Sequence, residues 1–191
     1  MSADKGAILL AIARAAISSA LGRPCSADES APWLMEPCAC FVTLTQNGQL
    51  RGCIGSLEPR RSLLIDIKSN AVSAALHDTR FMPMSAEELD RTDIEVSLLS
   101  LAAPIKFKDE ADLQRSLRPG VDGVIFEFNG YRSTFLPQIW KQLPKPAQFM
   151  AHLKRKAGFP DDFWDENVKI SRYSVVSYFE KHAKSQEQKN G

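Results

Sequence analysis

Apolar residues recur every three or four positions in several stretches of the chain, the spacing that places them on one face of a helix. The longest stretch covers residues 5–21, and Gly22 and Pro24 after it are typical of a helix end. Ser85 and Glu88 have the spacing of a capping box, which predicts the start of a short helix. The predicted helices span residues 5–21, 62–77, 85–89, 109–117 and 146–157.

Elsewhere apolar and polar residues alternate, which is typical of strands with one buried face. Two Asn-Gly pairs, Asn47-Gly48 and Asn129-Gly130, predict two-residue turns, because both turn positions need positive φ. The first turn joins strands predicted over 41–45 and 50–55, and the second joins strands over 124–128 and 131–135. Further strands are predicted over 93–100 and, as one strand or two, over 168–179.

Strands that come mainly as hairpins favour an antiparallel sheet, and the interspersed helices predict an α+β fold in which they flank that sheet. The length of 191 residues fits one domain, which we place at residues 1–185. The same length also fits one domain with a small subdomain. Residues 186–191 are expected to form a frayed tail.

The charges are balanced, since 24 Lys and Arg oppose 23 Asp and Glu and the formal net charge is +1. A nucleic-acid-binding protein is expected to have a strongly basic face, so no nucleic-acid partner is predicted. Four cysteines without a CxxC pair, together with only three histidines, favour neither a disulfide framework nor a metal site, and no cofactor is predicted. No apolar stretch has the length of a membrane span, and we expect a cytoplasmic protein with reduced cysteines.

The return strand of the first hairpin, residues 50–55, carries the best candidate for a functional residue, Cys53. If Asn47-Gly48 is a two-residue loop, Val42 faces Cys53 across the hairpin. Side chains alternate along a strand, so Arg51 and Cys53 would share one face. A guanidinium near a thiol favours the thiolate, and this arrangement predicts an activated cysteine.

Two glycines in the same strand, Gly52 and Gly55, are expected to leave space around Cys53. Glycine inside a strand weakens it and usually marks a bulge or a close approach by a ligand or another chain. The functional hypothesis is a nucleophilic Cys53 beside a small cavity, with Arg51 binding an anionic group and Arg80 lining the same cleft.

A structural role for the same residues is the alternative. Free cysteine is commonly a small core residue, so Cys53 would pack in reduced form against Val42. Arg51 would then pair with a carboxylate such as Glu58 or Glu95.

Cys40 adds a redox hypothesis. In the predicted register it lies on the same face as Cys53, one diagonal step away, with roughly 7–8 Å between the Cα atoms. That distance is slightly too long for a relaxed disulfide, and a bulge at Gly52 would shorten it.

A nucleophilic cysteine needs a base within hydrogen-bond reach, and the chain offers three histidines. His77 ends the predicted helix after the hairpin and is the nearest in sequence, so it is the candidate base. His152 lies on a predicted helix, and His182 lies in the tail. For each of them a surface or capping role is the simpler interpretation.

The hairpin motif resembles the signature of the AMMECR family in Phe41-Val42-Thr43-Leu44 and in Gly48-Gln49-Leu50-Arg51-Gly52-Cys53-Ile54-Gly55. The resemblance runs in order over roughly residues 5–180. The other matching motifs are Asp78-Thr79-Arg80-Phe81, Asp93-Ile94-Glu95-Val96-Ser97, Pro119-Gly120-Val121-Asp122-Gly123, Thr134-Phe135-Leu136-Pro137-Gln138-Ile139-Trp140 and Lys156-Ala157-Gly158.

The resemblance implies an α+β fold with a larger antiparallel sheet flanked by helices and a smaller subdomain, at about 45–90, that carries the Arg-Gly-Cys-Ile-Gly hairpin. It also implies a functional association, in the AmmeMemoRadiSam system, with a Memo-like protein and a radical SAM enzyme. The family has no settled activity, and its motif implies that Arg51, Gly52, Cys53 and Gly55 matter. The first functional hypothesis is therefore a Cys53-dependent enzyme component of that system. The alternative is a non-catalytic partner or scaffold that docks through the glycine-flanked strand. A third hypothesis is anion binding at Arg51 without chemistry.

The docking hypothesis makes a structural prediction of its own. Strand addition at the glycine-flanked strand would require an exposed apolar patch nearby. The residues expected to form it are Ile54, Trp33 or Trp140.

Overall fold

A computed structural model describes residues 4–180 as an α+β fold with two antiparallel sheets flanked by helices, as the alternation and periodicity predict. The chain divides into two compact units. Of the described residues, the first unit comprises 4–98 and 176–180, and the second comprises 99–175. No helix among the described residues is long and apolar enough to cross a membrane. The tail predicted at 186–191 and the candidate His182 lie outside the described residues.

Five α-helices are present in the described part of the chain, in the order that the apolar pattern predicts. They are α1 (Lys5–Ala20), α2 (Leu63–Leu76), α3 (Ala86–Leu89), α4 (Glu110–Ser116) and α5 (Pro146–Lys156). The capping box at the start of α3 is confirmed, because the Ser85 hydroxyl accepts from Glu88 N–H while the Glu88 carboxylate accepts from Ser85 N–H.

Eight strands form the two sheets. They are β1 (Cys40–Gln46), β2 (Gln49–Gly55), β3 (Asp93–Leu99), β4 (Ala103–Pro104), β5 (Gly123–Phe128), β6 (Tyr131–Phe135), β7 (Lys169–Tyr173) and β8 (Val175–Phe179). Their order is β2-β1-β3-β8 in one sheet and β4-β7-β5-β6 in the other. The stretch 168–179 is thus two strands, and they belong to different sheets.

Both Asn-Gly turns are confirmed, with φ of 51° at Asn47 and 76° at Gly48, and of 47° at Asn129 and 82° at Gly130. These turns fix the two hairpins β1–β2 and β5–β6.

The core of the first unit lies between its sheet and the two long helices. Apolar residues of α1 and α2 pack against the side chains that β1 and β3 direct to the same face, such as Val42, Leu44 and Val96. The first hairpin and α2 are integral to this core. Residues 45–90, over which a smaller subdomain is predicted, belong to this unit together with α1, β3 and residues 176–180.

The second unit has a core of its own, rich in aromatic side chains. Trp140 is 3% exposed, stacks on Phe149 with ring centroids 3.8 Å apart, and donates from Nε1 to the Asp122 carbonyl at 2.7 Å. The prediction of an exposed patch at Trp140 is therefore wrong. Trp33 and Ile54, in the first unit, are partly buried and pack against its core.

Candidate functional site

The pairing of β1 with β2 differs from the predicted register by a bulge. Gln46 pairs with Gln49 as expected, but Leu44 pairs with Gly52 and Thr45 pairs with Leu50. Arg51 is therefore an extra residue in β2. Beyond it every partner moves by one position, so Cys53 faces Thr43 and not Val42. A one-residue shift exchanges the faces of a strand, because side chains alternate with a period of two.

Cys40 and Cys53 consequently lie on opposite faces of the sheet. Cys40 is fully buried on the face that carries the helices, and burial raises the pKa of its thiol strongly. Cys53 is half-buried, on the same face as Thr43. The four cysteines are all free thiols, and the proposed Cys40–Cys53 redox pair is wrong because the bulge separates the two side chains.

The two glycines beside Cys53 serve packing within the chain. A Cβ at Gly52 would lie 2.1 Å from the Ala74 carbonyl oxygen of α2, so glycine is required for the helix to lie this close to the strand. A Cβ at Gly55 would lie 2.2 Å from the Phe41 ring. The space that the sequence reasoning assigns to a ligand is filled by these two groups.

One loop holds both main-chain polar groups of Cys53. Its N–H donates to Asp78 Oδ2 at 2.9 Å, and its carbonyl oxygen accepts from Arg80 Nη2 at 3.3 Å. Arg80 also forms an ion pair with Asp78, with 2.6 Å between Nη2 and Oδ2. Because β2 is at the edge of its sheet, these side chains take the place of a neighbouring strand at Cys53.

Arg51 binds a carboxylate that the sequence reasoning did not consider. Its Nε and Nη2 donate to the two oxygens of Glu88, each at 3.1 Å, and Nη2 also donates to the Met82 carbonyl. The predicted pairing of Arg51 with a carboxylate is therefore confirmed, but the partner is Glu88 and neither Glu58 nor Glu95. Nη1 of Arg51 is buried and has no hydrogen-bond partner among the described residues. The guanidinium groups of Arg51 and Arg80 both lie near the Phe81 ring, at 5.9 and 5.5 Å from its centroid.

The thiol of Cys53 is not activated in this structure. Burial raises its pKa above the ordinary value, and the carboxylates of Glu95 and Asp78 act in the same direction. The Thr43 hydroxyl, 3.4 Å from Sγ, and the Arg80 guanidinium lower the pKa without reversing its direction. The expectation of a depressed thiol pKa set by Arg51 is wrong, because Arg51 is occupied by Glu88 and burial dominates.

Polar side chains from neighbouring strands lie side by side on the face of the sheet that carries Cys53. Thr43 pairs with Cys53 on one side and with Glu95 on the other. Ser97, next along β3, donates from Oγ to Glu95 Oε1 at 2.9 Å, and its Oγ lies 2.7 Å from that of Ser177 on β8. The sequence does not reveal Thr43 as the neighbour of the thiol, because the bulge at Arg51 shifts the register of the hairpin by one residue.

Neither histidine of residues 4–180 is placed as a base by a hydrogen bond to the thiol. His77 ends α2 and is exposed, and within the described residues it makes no hydrogen bond to Cys53. Its neighbour Asp78 is the residue that contacts Cys53. His152 is exposed on α5 in the second unit. In the described part of the chain no group of three or more His, Cys, Asp or Glu side chains could hold a metal ion.

The family of the chain follows from comparison with known proteins. The model of the AMMECR1 family matches residues 10–178. The chain belongs to the AMMECR1 family. Archaeal relatives align with almost the whole chain. A protein of Methanothermobacter thermautotrophicus is 37% identical over 188 residues, which span 94% of this chain and 96% of that protein.

Two further AMMECR1-type proteins extend the comparison. Protein MJ0810 of Methanocaldococcus jannaschii is 35% identical over 185 residues, covering 94% of this chain and 92% of that protein. The crystal structure of the uncharacterized protein PH0010 from Pyrococcus horikoshii superposes with a TM-score of 0.84 at 32% identity. The superposed residues make up 93% of this chain and 92% of the chain of PH0010. The α+β architecture is therefore shared with that protein.

Proposed function

We propose that this AMMECR1-family protein is a cytoplasmic component of an enzyme system that includes a Memo-like protein and a radical SAM enzyme, and that it acts through Cys53. The observation that carries the proposal is the way Cys53 is held. Asp78 and Arg80 bind its N–H and its carbonyl oxygen, which fixes the backbone beneath a thiol that lies outside the apolar core. Such fixed geometry is what a reacting group requires.

The thiol is protonated at neutral pH in the isolated protein, because burial and two nearby carboxylates raise its pKa. Nucleophilic chemistry needs the thiolate. The proposal therefore places activation in the assembled system, where a partner or substrate changes the balance between Arg80, which favours the thiolate, and the carboxylates of Asp78 and Glu95, which disfavour it.

A comparison of two cysteine variants tests this proposal. Cys53→Ser is expected to abolish the activity reconstituted with the Memo-like and radical SAM proteins. Cys25→Ser, at an exposed cysteine, is the matched control and should leave that activity unchanged. Equal activity of the two variants would exclude a chemical role for Cys53.

A second candidate function is that of a non-catalytic partner, favoured by exposed apolar side chains beside the site. Met82 is 81% exposed and Leu50 is 44% exposed, and Arg51 links their segments by its hydrogen bond to the Met82 carbonyl. Docking would then use this surface. Strand addition at Cys53 is disfavoured, because Asp78 and Arg80 already occupy its main-chain groups.

The second candidate predicts a different pattern of variants. Met82→Asp should weaken association with either proposed partner, while Cys53→Ser leaves it intact. Binding that survives Met82→Asp would remove the support for this docking surface.

A further inference from the structure

Three of the four sheet edges carry features that prevent pairing with another strand. Asp78 and Arg80 cover β2 at Cys53. Strand β4 has only two residues, one of which is Pro104. On β6, the Lys156 ammonium donates to a main-chain carbonyl at 3.0 Å. Short strands, proline and charged side chains are the usual protection of exposed edges.

The fourth edge, β8, has none of these features. It contains only uncharged residues and no proline or glycine, and its side chains Val176 and Phe179 are 57% and 62% exposed. The carboxylate that follows the strand, Glu180, is neutralised by Arg14. Within residues 175–180, a second strand would therefore meet only a charge that is already paired.

The pairing of β8 with β3 determines which main-chain groups remain available. Glu180 N–H donates to the Ile94 carbonyl at 3.0 Å, and Ser100 N–H donates to the Ser174 carbonyl at 2.9 Å. Main-chain groups alternate in direction along an antiparallel strand, so those of the even-numbered residues point to β3. The N–H and C=O groups of the odd-numbered residues 175, 177 and 179 point away from the sheet.

The sequence of β8 is complementary to itself. If a second copy pairs antiparallel about a two-fold axis at Ser177, Val175 lies opposite Phe179 of the second copy, and Val176 lies opposite Tyr178 of the second copy. Cross-strand pairs of aromatic and β-branched side chains are favourable, and two-fold symmetry forms each pair twice.

The segment that follows β8 is a poor match for this edge. Residues 181–191 contain a single apolar residue, Ala183, and four charged residues. A second β8 offers the uncharged, apolar strand that the edge requires. We propose that β8 is a self-association edge, at which two copies join their four-stranded sheets into one continuous eight-stranded sheet. This inference does not depend on Cys53.

Cross-linking tests the proposed register directly. At the two-fold axis, residue 177 faces its own copy in a hydrogen-bonded pair, with about 5.5 Å between Cα atoms. That distance suits a disulfide. In a Cys25→Ser background, Ser177→Cys should form a covalent dimer under mild oxidation. Val175→Cys alone should not, because its two copies would be roughly 14 Å apart, whereas a mixture of Val175→Cys with Phe179→Cys should.

Sedimentation equilibrium tests the same edge without cross-links. A five-residue edge buries less area than a typical stable interface, so the dimer should appear between about 10 µM and 1 mM. Phe179→Lys should abolish it, while Leu101→Lys, at a residue 76% exposed outside β8, should not. A protein that stays monomeric at about 1 mM, a dimer that persists in Phe179→Lys, or equal cross-linking of Val175→Cys and Ser177→Cys would overturn the proposal. Circular dichroism of each variant checks folding, and if Phe179→Lys does not fold, the cross-linking result decides.

Discussion

Replacing Gly52 by alanine tests whether packing or ligand binding requires the glycine. The added Cβ would lie 2.1 Å from the Ala74 carbonyl oxygen, whereas ordinary contacts begin at 3.4 Å. Strand and helix would have to separate by about 1.3 Å. Overpacking of this kind costs up to about 3 kcal/mol, and the strand preference of alanine over glycine returns about 0.5–1 kcal/mol. We expect a net loss of about 2 kcal/mol in the free energy of unfolding.

Urea unfolding followed by far-UV circular dichroism measures that loss, and thermal unfolding should show a fall of roughly 4–8 °C in Tm. Gly55→Ala is the comparison, because its obstacle is the Phe41 ring and not the main chain. The double variant Phe41→Ala/Gly55→Ala should relieve that clash, while no side-chain deletion should rescue Gly52→Ala. A Gly52→Ala protein within about 0.5 kcal/mol of the wild type would refute the packing explanation.

Three other predictions concern charge and thiol chemistry. Asp78→Asn should lower the free energy of unfolding by about 1–2 kcal/mol at pH 7. Because the pKa of Asp78 is depressed in the native state, this difference should shrink below about pH 4, which denaturation curves at several pH values would show. Glu110→Ala should destabilise the second unit by about 2–3 kcal/mol in urea, since it leaves the Lys154 ammonium, 1% exposed, without its carboxylate. Iodoacetamide at pH 7.5 should alkylate exposed Cys25 at least about tenfold faster than Cys53, as peptide mass spectrometry would show.

Local signals in the sequence were sufficient for most of the elements. Each Asn-Gly pair adopts the positive φ values that a two-residue turn demands, so both hairpins could be placed from four residues. The capping box at Ser85 fixed the start of α3 for the same reason, because its bonds are between residues three apart.

Features that depend on distant contacts could not be predicted in the same way. At the bulge, the side chain of Arg51 binds Glu88, 37 residues away, and the bulge reverses which residues share a face with Cys53. The role of Gly52 depends on the Ala74 carbonyl of a helix that follows it. The separation of β7 from β8 into two sheets depends on partners far back in the chain, since β7 pairs with β5 and β8 lies beside β3.

The central claim is that Cys53 is a thiol whose reactivity is controlled by its assembled surroundings. The most direct measurement is the rate of Cys53 alkylation as a function of pH, alone and with the Memo-like and radical SAM proteins, with Cys25 as the internal reference. For the isolated protein the profile should rise only above the ordinary thiol pKa, because the native pKa is raised. When both partners are present, the pH profile of Cys53 alkylation should move to lower pH, while that of Cys25 should not change. An unchanged profile in the presence of both partners would contradict the account.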